Sequence, residues 1–286
     1  MPAMERWSKD IRFAVIDLVL WMRNGFKLPV MVVYPDFPSK KTTIFKIAKQ
    51  LGYRLTNKPI VNADIVIYFD DITTADANLP DVLLSGKAVV NIHCTDISKV
   101  KVDEIHLKVF GYNTFIDPLS YTGKAVQKSD INALHDGKII QCPIDQKHLQ
   151  SVYQVLIDNT HDESLVMDYR VPVYNGVIPL LYRKFKSYEK RFTNDVTYSE
   201  LVTDVRSVFT EKEEESIVAF TQSMLVEFCE LDILRNKDDG RIYIIDVNKT
   251  PYGPPAGLKP EEREKAVILL TAAFRARILS EFSRIN

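Results

Sequence analysis

Glu230-Leu-Asp-Ile-Leu234, the turn Lys237-Asp-Asp-Gly240, and Arg241-Ile-Tyr-Ile-Ile-Asp-Val-Asn248-Lys-Thr-Pro251 form the stretch on which the reading of this chain rests. Two short apolar runs joined through Asp-Asp-Gly predict an antiparallel hairpin, because glycine supplies the backbone freedom that a tight reversal needs. Each run carries an acid among its apolar residues, Asp232 in the first and Asp246 in the second. Side chains alternate along a strand, so Asp246 and Asn248 share a face, and Asp232 lies across from Asp246 at the register the turn allows. Two carboxylates in an apolar hairpin repel each other unless a cation or donors compensate them. Three oxygen-bearing side chains gathered in this way suit Mg2+ held jointly with substrate phosphates. The competing reading makes Asp232 a solvent-facing position and Asp246 a strand-end residue capping a turn around Asn248, Lys249 and Thr250.

Around this hairpin stand 286 residues, 46% of them apolar and 26% charged, with 10 Gly and 14 Pro. Such a composition builds cores and excludes a collagen-like or largely disordered chain, and the length predicts two or three lobes. Lys and Arg number 37 against 38 Asp and Glu, for a formal net charge of -1. No strong positive field is available to nucleic acid or anionic lipid, so an anionic ligand must be held locally. Cys94, Cys142 and Cys229 fit no zinc or disulfide spacing, and reduced thiols in a cytoplasm are expected. The apolar run from Phe13 to Met22 is interrupted by Asp17 and is too short to cross a bilayer. It predicts a soluble amphipathic helix.

Before the hairpin, apolar runs at 28–34, 63–69 and 87–92, with a helical stretch at 41–51, predict a parallel sheet of the βαβ kind. No GxGxxG follows its first strand, so a dinucleotide fingerprint is absent. Gly123 to Lys128 and Lys138 to Pro143 predict a hairpin whose tip is 132–137, closed by Asp136-Gly137. Leu149, Val152, Val155 and Leu156 are spaced as a helix face within 145–157, and strands are expected at 164–170 and 176–185. The helix, with a hairpin on either side, makes a small α+β lobe. Thr210 with Glu213 reads as a capping box ahead of a helix lined by Ile217, Thr221, Met224 and Phe228, and an amphipathic helix is expected from Pro260 to Phe282.

In the hairpin the chain resembles the ATP-grasp superfamily, in its D-alanine:D-alanine ligase and glutathione synthetase-like members, where an Asp precedes a strand ending Glu/Asp-x-Asn-x-(Ser/Thr)-Pro. Asp232, Asp246 and Asn248, 14 and 2 residues apart, fall on its metal-ligand positions. The resemblance implies an α/β and α+β fold in three lobes: a Rossmann-like lobe over 1–115, a small ATP-grasp lobe over 116–174, and a large lobe with the metal site over 175–286. It implies ATP, with Mg2+ or Mn2+, as cofactors. Lys128 takes the place of the lysine used against the ATP phosphates, with Lys124 as its rival. The family's glycine-rich loop is replaced by Lys128-Ser-Asp-Ile-Asn-Ala-Leu-His-Asp-Gly137, in which Gly137 is the single glycine. Leu165 to Val171 would be the hinge strand, the backbone of Asp168, Tyr169 and Arg170 bonding the adenine edge while Met167 and Val171 pack against the base. Lys99 and Lys108 resemble phosphate-neutralising residues ahead of the small lobe. In the large lobe Arg183 is the expected catalytic cation beside Lys128, with Lys184 and Lys186 as alternatives.

The activity implied is ligation of a small-molecule carboxylate to an amine through an acylphosphate, in the cytoplasm, with no nucleic-acid or membrane partner. A small-molecule kinase, a non-catalytic ATP-binding regulatory module and an interaction protein without nucleotide stay open beside it. No Ser-His-Asp set or nucleophile elbow is present. His93, His106 and His135 are read as structural or exposed, and the loop from Thr250 to Leu258 as a shaped wall beside the metal.

Overall fold

A computed structural model describes residues 28–84, 88–131, 134 and 136–282, together with 15, 18, 19, 21 and 22. Half of the helix expected from Phe13 to Met22 lies outside the described residues, as do His135 and residues 132 and 133 of the expected 132–137 tip.

The first lobe is the expected parallel sheet. Strand β1 (Val30–Pro35), helix α1 (Thr43–Leu51), β2 (Arg54–Thr56), β3 (Ile65–Phe69), the short helix α2 (Asp81–Leu84), β4 (Val89–Val90) and α3 (Lys99–Phe110) follow in order, with sheet order β2-β1-β3-β4. Both faces are buried, as all-parallel sheets require. Met31 and Val33 pack on the α1 side, while Val30 and Val32 pack with Leu79 and Leu83 on the other.

A three-stranded antiparallel sheet comes next, from β5 (Gly123–Ser129), β6 (Lys138–Cys142) and β7 (Ser151–Val155), in the order β6-β5-β7. The β5–β6 hairpin is the predicted one, but the helix expected within 145–157 is a strand. Val152, Tyr153 and Gln154 pair with Lys128, Gln127 and Val126, and Leu149, counted on the apolar face, is 95% exposed. The three-and-four spacing was accidental, and residues suited to a pleated surface won.

The largest sheet has five antiparallel strands. They are β8 (Leu165–Tyr174), β9 (Leu181–Ser187), β10 (Tyr198–Val202), β11 (Phe228–Arg235) and β12 (Ile242–Asn248), ordered β10-β9-β8-β11-β12. Strand β8, read from the sequence as part of the small lobe, is central here and pairs with β9 and β11. Helix α4 (Glu211–Ser223) has both halves of the capping box between Thr210 and Glu213. The C-terminal helix α5 (Pro260–Phe274) runs on through one wider turn at Arg275–Leu279.

One face of this sheet is a core of Tyr169, Val171, Val173, Leu231, Ile233, Ile244 and Val247 against α3 and α4. The opposite face is apolar at one end, where Tyr174 and Phe228 stack at 4.8 Å and Phe274 of α5 meets both edge-on. Toward the other end it becomes charged. A bulge between Asp232 and Ile233 shifts the register, pairing Asp232 with Asp246 but Ile233 with Ile244. Ile245 is therefore the extra residue, and it lets Ile244 and Val247 both reach the core while Asp246 and Asn248 face the other way.

Candidate functional site

The charged end of the large sheet floors a cavity of about 540 Å3, walled by the three-stranded sheet and by parts of the first lobe. From β8 come Asp168 and Arg170, from β9 Lys184 and Lys186, from β11 Asp232, and from β12 Asp246 and Asn248. Lys128 enters from β5, Lys99 from the first residue of α3, and Asp71 from just beyond β3.

Arg170 lies across from Asp232 in the sheet and grips it with both arms. Its Nε donates to Oδ1 and its Nη2 to Oδ2, each at 3.0 Å. Lys184 Nζ stands 3.7 Å from the same carboxylate. Burial would raise the Asp232 pKa, but Arg170 and then Lys184 outweigh it and hold the group far below the ordinary carboxylate range. Asp246 has the opposite balance. Burial, then the Asp232 charge, push its pKa up against the pull of Lys99 and Lys128. Among the described residues no hydrogen bond or ion pair reaches its carboxylate. Asn248 Oδ1 accepts from the Thr250 backbone N–H at 3.0 Å, so the turn foreseen in the competing reading exists, with the amide rather than Asp246 as its cap.

Among the described residues no three His, Cys, Asp or Glu side chains gather into a metal-holding group. A cation here would rest on two carboxylates and an amide, which is the sparse donor set Mg2+ takes when substrate phosphates complete its shell. Asp246, whose carboxylate has no hydrogen bond or ion pair among the described residues, is the observation that fits such an ion, and the residues present suit it.

Around these acids the cations are desolvated. Lys186 Nζ pairs with Asp168 Oδ2 at 2.8 Å, both side chains about nine-tenths buried. Lys184 is lowered in pKa by burial, against the pull of Asp232. Burial first, and then Lys99, lower Lys128 to about 8. Behind Arg170 stands Glu230, with no exposed surface and pushed up to about 7 chiefly by burial. Its Oε1 accepts from Thr43 Oγ1 at 3.4 Å, and its Oε2 is 3.6 Å from Arg170 Nη1 with no hydrogen bond.

Contacts that hold this floor to the first lobe include an ion pair and a docked loop. Lys249 Nζ and Asp70 Oδ1 form a buried ion pair at 2.5 Å, with Tyr68 Oη donating to Asp70 Oδ2 at 2.7 Å. The following loop lies on the N-terminus of α1: Thr43 N donates to Pro251 O at 2.9 Å, and Lys46 Nζ donates to Gly253 O. A Cβ at position 253 would stand 2.6 Å from Thr43 Oγ1 and 2.8 Å from Glu230 Oε1, so only glycine fits there.

The candidates named from sequence meet in the cavity only in part. Lys99, Lys128, Asp168, Arg170, Asp232, Asp246 and Asn248 line one cavity. Lys108 is exposed in the last turn of α3 and Lys124 is exposed on β5, and neither lines it. Arg183 is corrected: it projects from the other face of β9 and pairs with Glu200 at 3.5 Å, while Lys184 and Lys186 take the cavity side. Met167, Tyr169 and Val171 pack into the sheet's core rather than against a ligand space, because they alternate with Asp168 and Arg170.

Two cavity walls escaped the sequence reading. Gln154 to Ile157 and Asn159, leading out of β7, line it, and among the described residues no hydrogen bond occupies the Leu156 backbone. Arg191, after β9, donates to Ile157 O at 3.0 Å and to Asn159 Oδ1 at 2.8 Å. Its neighbour Phe192 covers Gly137 so closely that a Cβ there would come within 2.8 Å of the ring. Arg191 and Phe192 fall at the end of the basic, aromatic run from Tyr182 to Phe192, which was their signal in the sequence.

A chain built on one parallel and two antiparallel sheets, with a cavity between the small and the large antiparallel sheet floored by acids and buried lysines, has the fold of the ATP-grasp ligases. The likeness spans nearly the whole chain. D-alanine–D-alanine ligase from Bacillus anthracis complexed with ATP matches with a TM-score of 0.55 at 15% identity, covering 90% of this chain and 96% of that one. D-alanyl-alanine synthetase A from Vibrio cholerae O1 biovar eltor matches at 0.54 and 14%, covering 89% and 99%. The ATP-grasp ligase PsnB, complexed with a phosphomimetic variant of its minimal precursor, Mg and ADP, matches at 0.56 and 12%, covering 88% and 99%. In a PsnB complex with minimal precursor the match takes in 66% of this chain and 64% of that one, at a TM-score of 0.45. A scan of protein-family models found no match, and a search of curated protein sequences found none either.

Proposed function

We infer that the protein is an ATP-dependent ligase joining a carboxylate to an amine through an acylphosphate. The observation that carries this reading is the unpartnered Asp246 carboxylate beside Asp232, facing a cavity that also holds desolvated lysines. The same fold is seen complexed with ATP in one ligase and with Mg and ADP in another.

ATP would enter between the small and large sheets. The unoccupied N–H and C=O of Leu156 suit the donor and acceptor of the adenine edge, a role that replaces the one expected of the 168–170 backbone. Lys128, Lys184 and Lys186 would face the triphosphate, with Lys99 at the start of α3 closing one side. Asp232, Asp246 and Asn248 would hold a Mg2+ ion, and the chemistry it would supply there is neutralisation of phosphate charge. The substrate carboxylate attacks that phosphorus, the bond to the ADP oxygen breaks, and Lys128 and Lys184 stabilise the charge spread over the transferring group. The amine then adds to the acyl carbon and phosphate leaves, the nitrogen giving up its proton. Positioning and electrostatics suffice for this sequence, which is why no side-chain nucleophile is needed.

Calorimetric titration with ATP and Mg2+ tests the site. Asp246→Ala combined with Asn248→Ala is expected to abolish the binding heat, and unchanged binding would overturn the reading. ADP release that requires both a carboxylate and an amine distinguishes ligation from phosphoryl transfer as the end point.

A further inference from the structure

Arg170 answers to two carboxylates at once. Its Nε and Nη2 are spent on Asp232 at 3.0 Å each, and its Nη1 points at Glu230 Oε2, 3.6 Å away. A fork-to-fork pair of this kind uses both oxygens of Asp232. A divalent ion that shares Asp232 with Asp246 therefore competes with the guanidinium for the same two oxygens. Arg170 has only 15% of its side chain exposed, so a displaced guanidinium needs another anion within reach. Glu230 precedes Asp232 by two residues on β11 and so faces the same side of the sheet. It is wholly buried, its Oε1 is anchored by Thr43, and its Oε2 carries no hydrogen bond. A buried acceptor left open is uncommon in folded proteins and calls for a reason. A short sideways move of Arg170 would fill it.

We propose that Arg170 is an exchangeable counter-ion: it holds Asp232 while the site is unloaded and passes to Glu230 when a metal–nucleotide complex takes Asp232, with Glu230 as the positioning residue that receives it. The inference rests on the metal reading of Asp232, Asp246 and Asn248. It gives Glu230 a role that a support for the apolar core would not need, and it assigns opposite effects to two neighbouring charges.

Mn2+ affinity, read by the loss of the free-ion electron paramagnetic resonance signal in the presence of a non-hydrolysable ATP analogue, separates the possibilities. Glu230→Gln removes the second berth while keeping shape, and is expected to weaken Mn2+ about tenfold. Arg170→Met removes the competitor and is expected to tighten Mn2+ about tenfold, and in that background Glu230→Gln has no further effect beyond about twofold. Arg170→Lys, which keeps a charge but loses the fork, is the second variant should Arg170→Met fail to fold, with about threefold tightening expected. Weaker binding in the Arg170 variants, or unchanged binding in Glu230→Gln, would overturn the exchange. Asp246→Asn tells the two failures apart. If it abolishes Mn2+ binding while the Arg170 and Glu230 variants do not behave as expected, only the exchange is lost; if it changes nothing, the metal reading has gone as well.

Discussion

Lys184 and Arg183 are neighbours of like charge with opposite situations. Lys184 is desolvated over the cavity floor, and Arg183 lies on the far face in a half-exposed pair with Glu200. Lys184→Met should weaken ATP about 30-fold in a calorimetric titration, whereas Arg183→Met should change it less than about twofold. Lys128 adds a pH signature. With its pKa lowered to about 8 by burial and by Lys99, it carries its charge below that pH and loses it above. ATP affinity of the free protein should therefore fall as pH rises through about 8, and Lys128→Arg should flatten the profile, since arginine keeps its proton throughout. The acids were legible from sequence because each interrupts an apolar run, and an acid there demands a reason. Parity within Tyr182 to Lys186 was not, since charged and aromatic residues occur on both faces of β9. Which face meets the ligand is decided by strands far away in sequence.

At the scale of elements, the most telling case is α3, which holds His106 with no exposed surface. Its ring stacks on Phe110 at 4.3 Å and meets Tyr112 edge-on at 5.1 Å, and neither ring nitrogen has a hydrogen-bond partner. Burial lowers its pKa from 6.5 to about 4. Between those values the unfolded chain binds the proton and the folded one does not, so stability falls as pH drops through that window and is unaffected above it. The loss approaches roughly 3 kcal/mol at the acid end. Urea denaturation of His106→Phe between pH 7 and 4 should show a correspondingly flatter decline. Helix α4 was readable because a capping box is a local signal. Strand β7 was not, because Val-Tyr-Gln-Val fits either period and only its partner β5 decides. The bulge at Ile245 is likewise silent in sequence, for it is the demand of Ile244 and Val247 for one core that creates it.

Over the whole molecule, a buried charge pair, Lys249 with Asp70, helps join the first lobe to the hairpin of β11 and β12. Lys249→Met leaves Asp70 buried without its cation and should cost about 3–5 kcal/mol of stability, measured by denaturant titration. Adding Asp70→Asn should recover part of that loss, because the stranded charge goes with it. The change from parallel-sheet runs to hairpins was visible in the sequence, but the central place of β8 was not, since an isolated strand does not say which sheet claims it. One core binds the beginning of the chain to its end: Met31, Ile44 and Ile67 share a cluster with Phe228, Leu270 and Phe274. During synthesis, the side of the parallel sheet that packs on α1 must therefore stay incompletely covered until residues near 274 have left the ribosome. Until that later segment arrives, part of the cluster shared by Met31 and Ile67 stands open as an apolar surface.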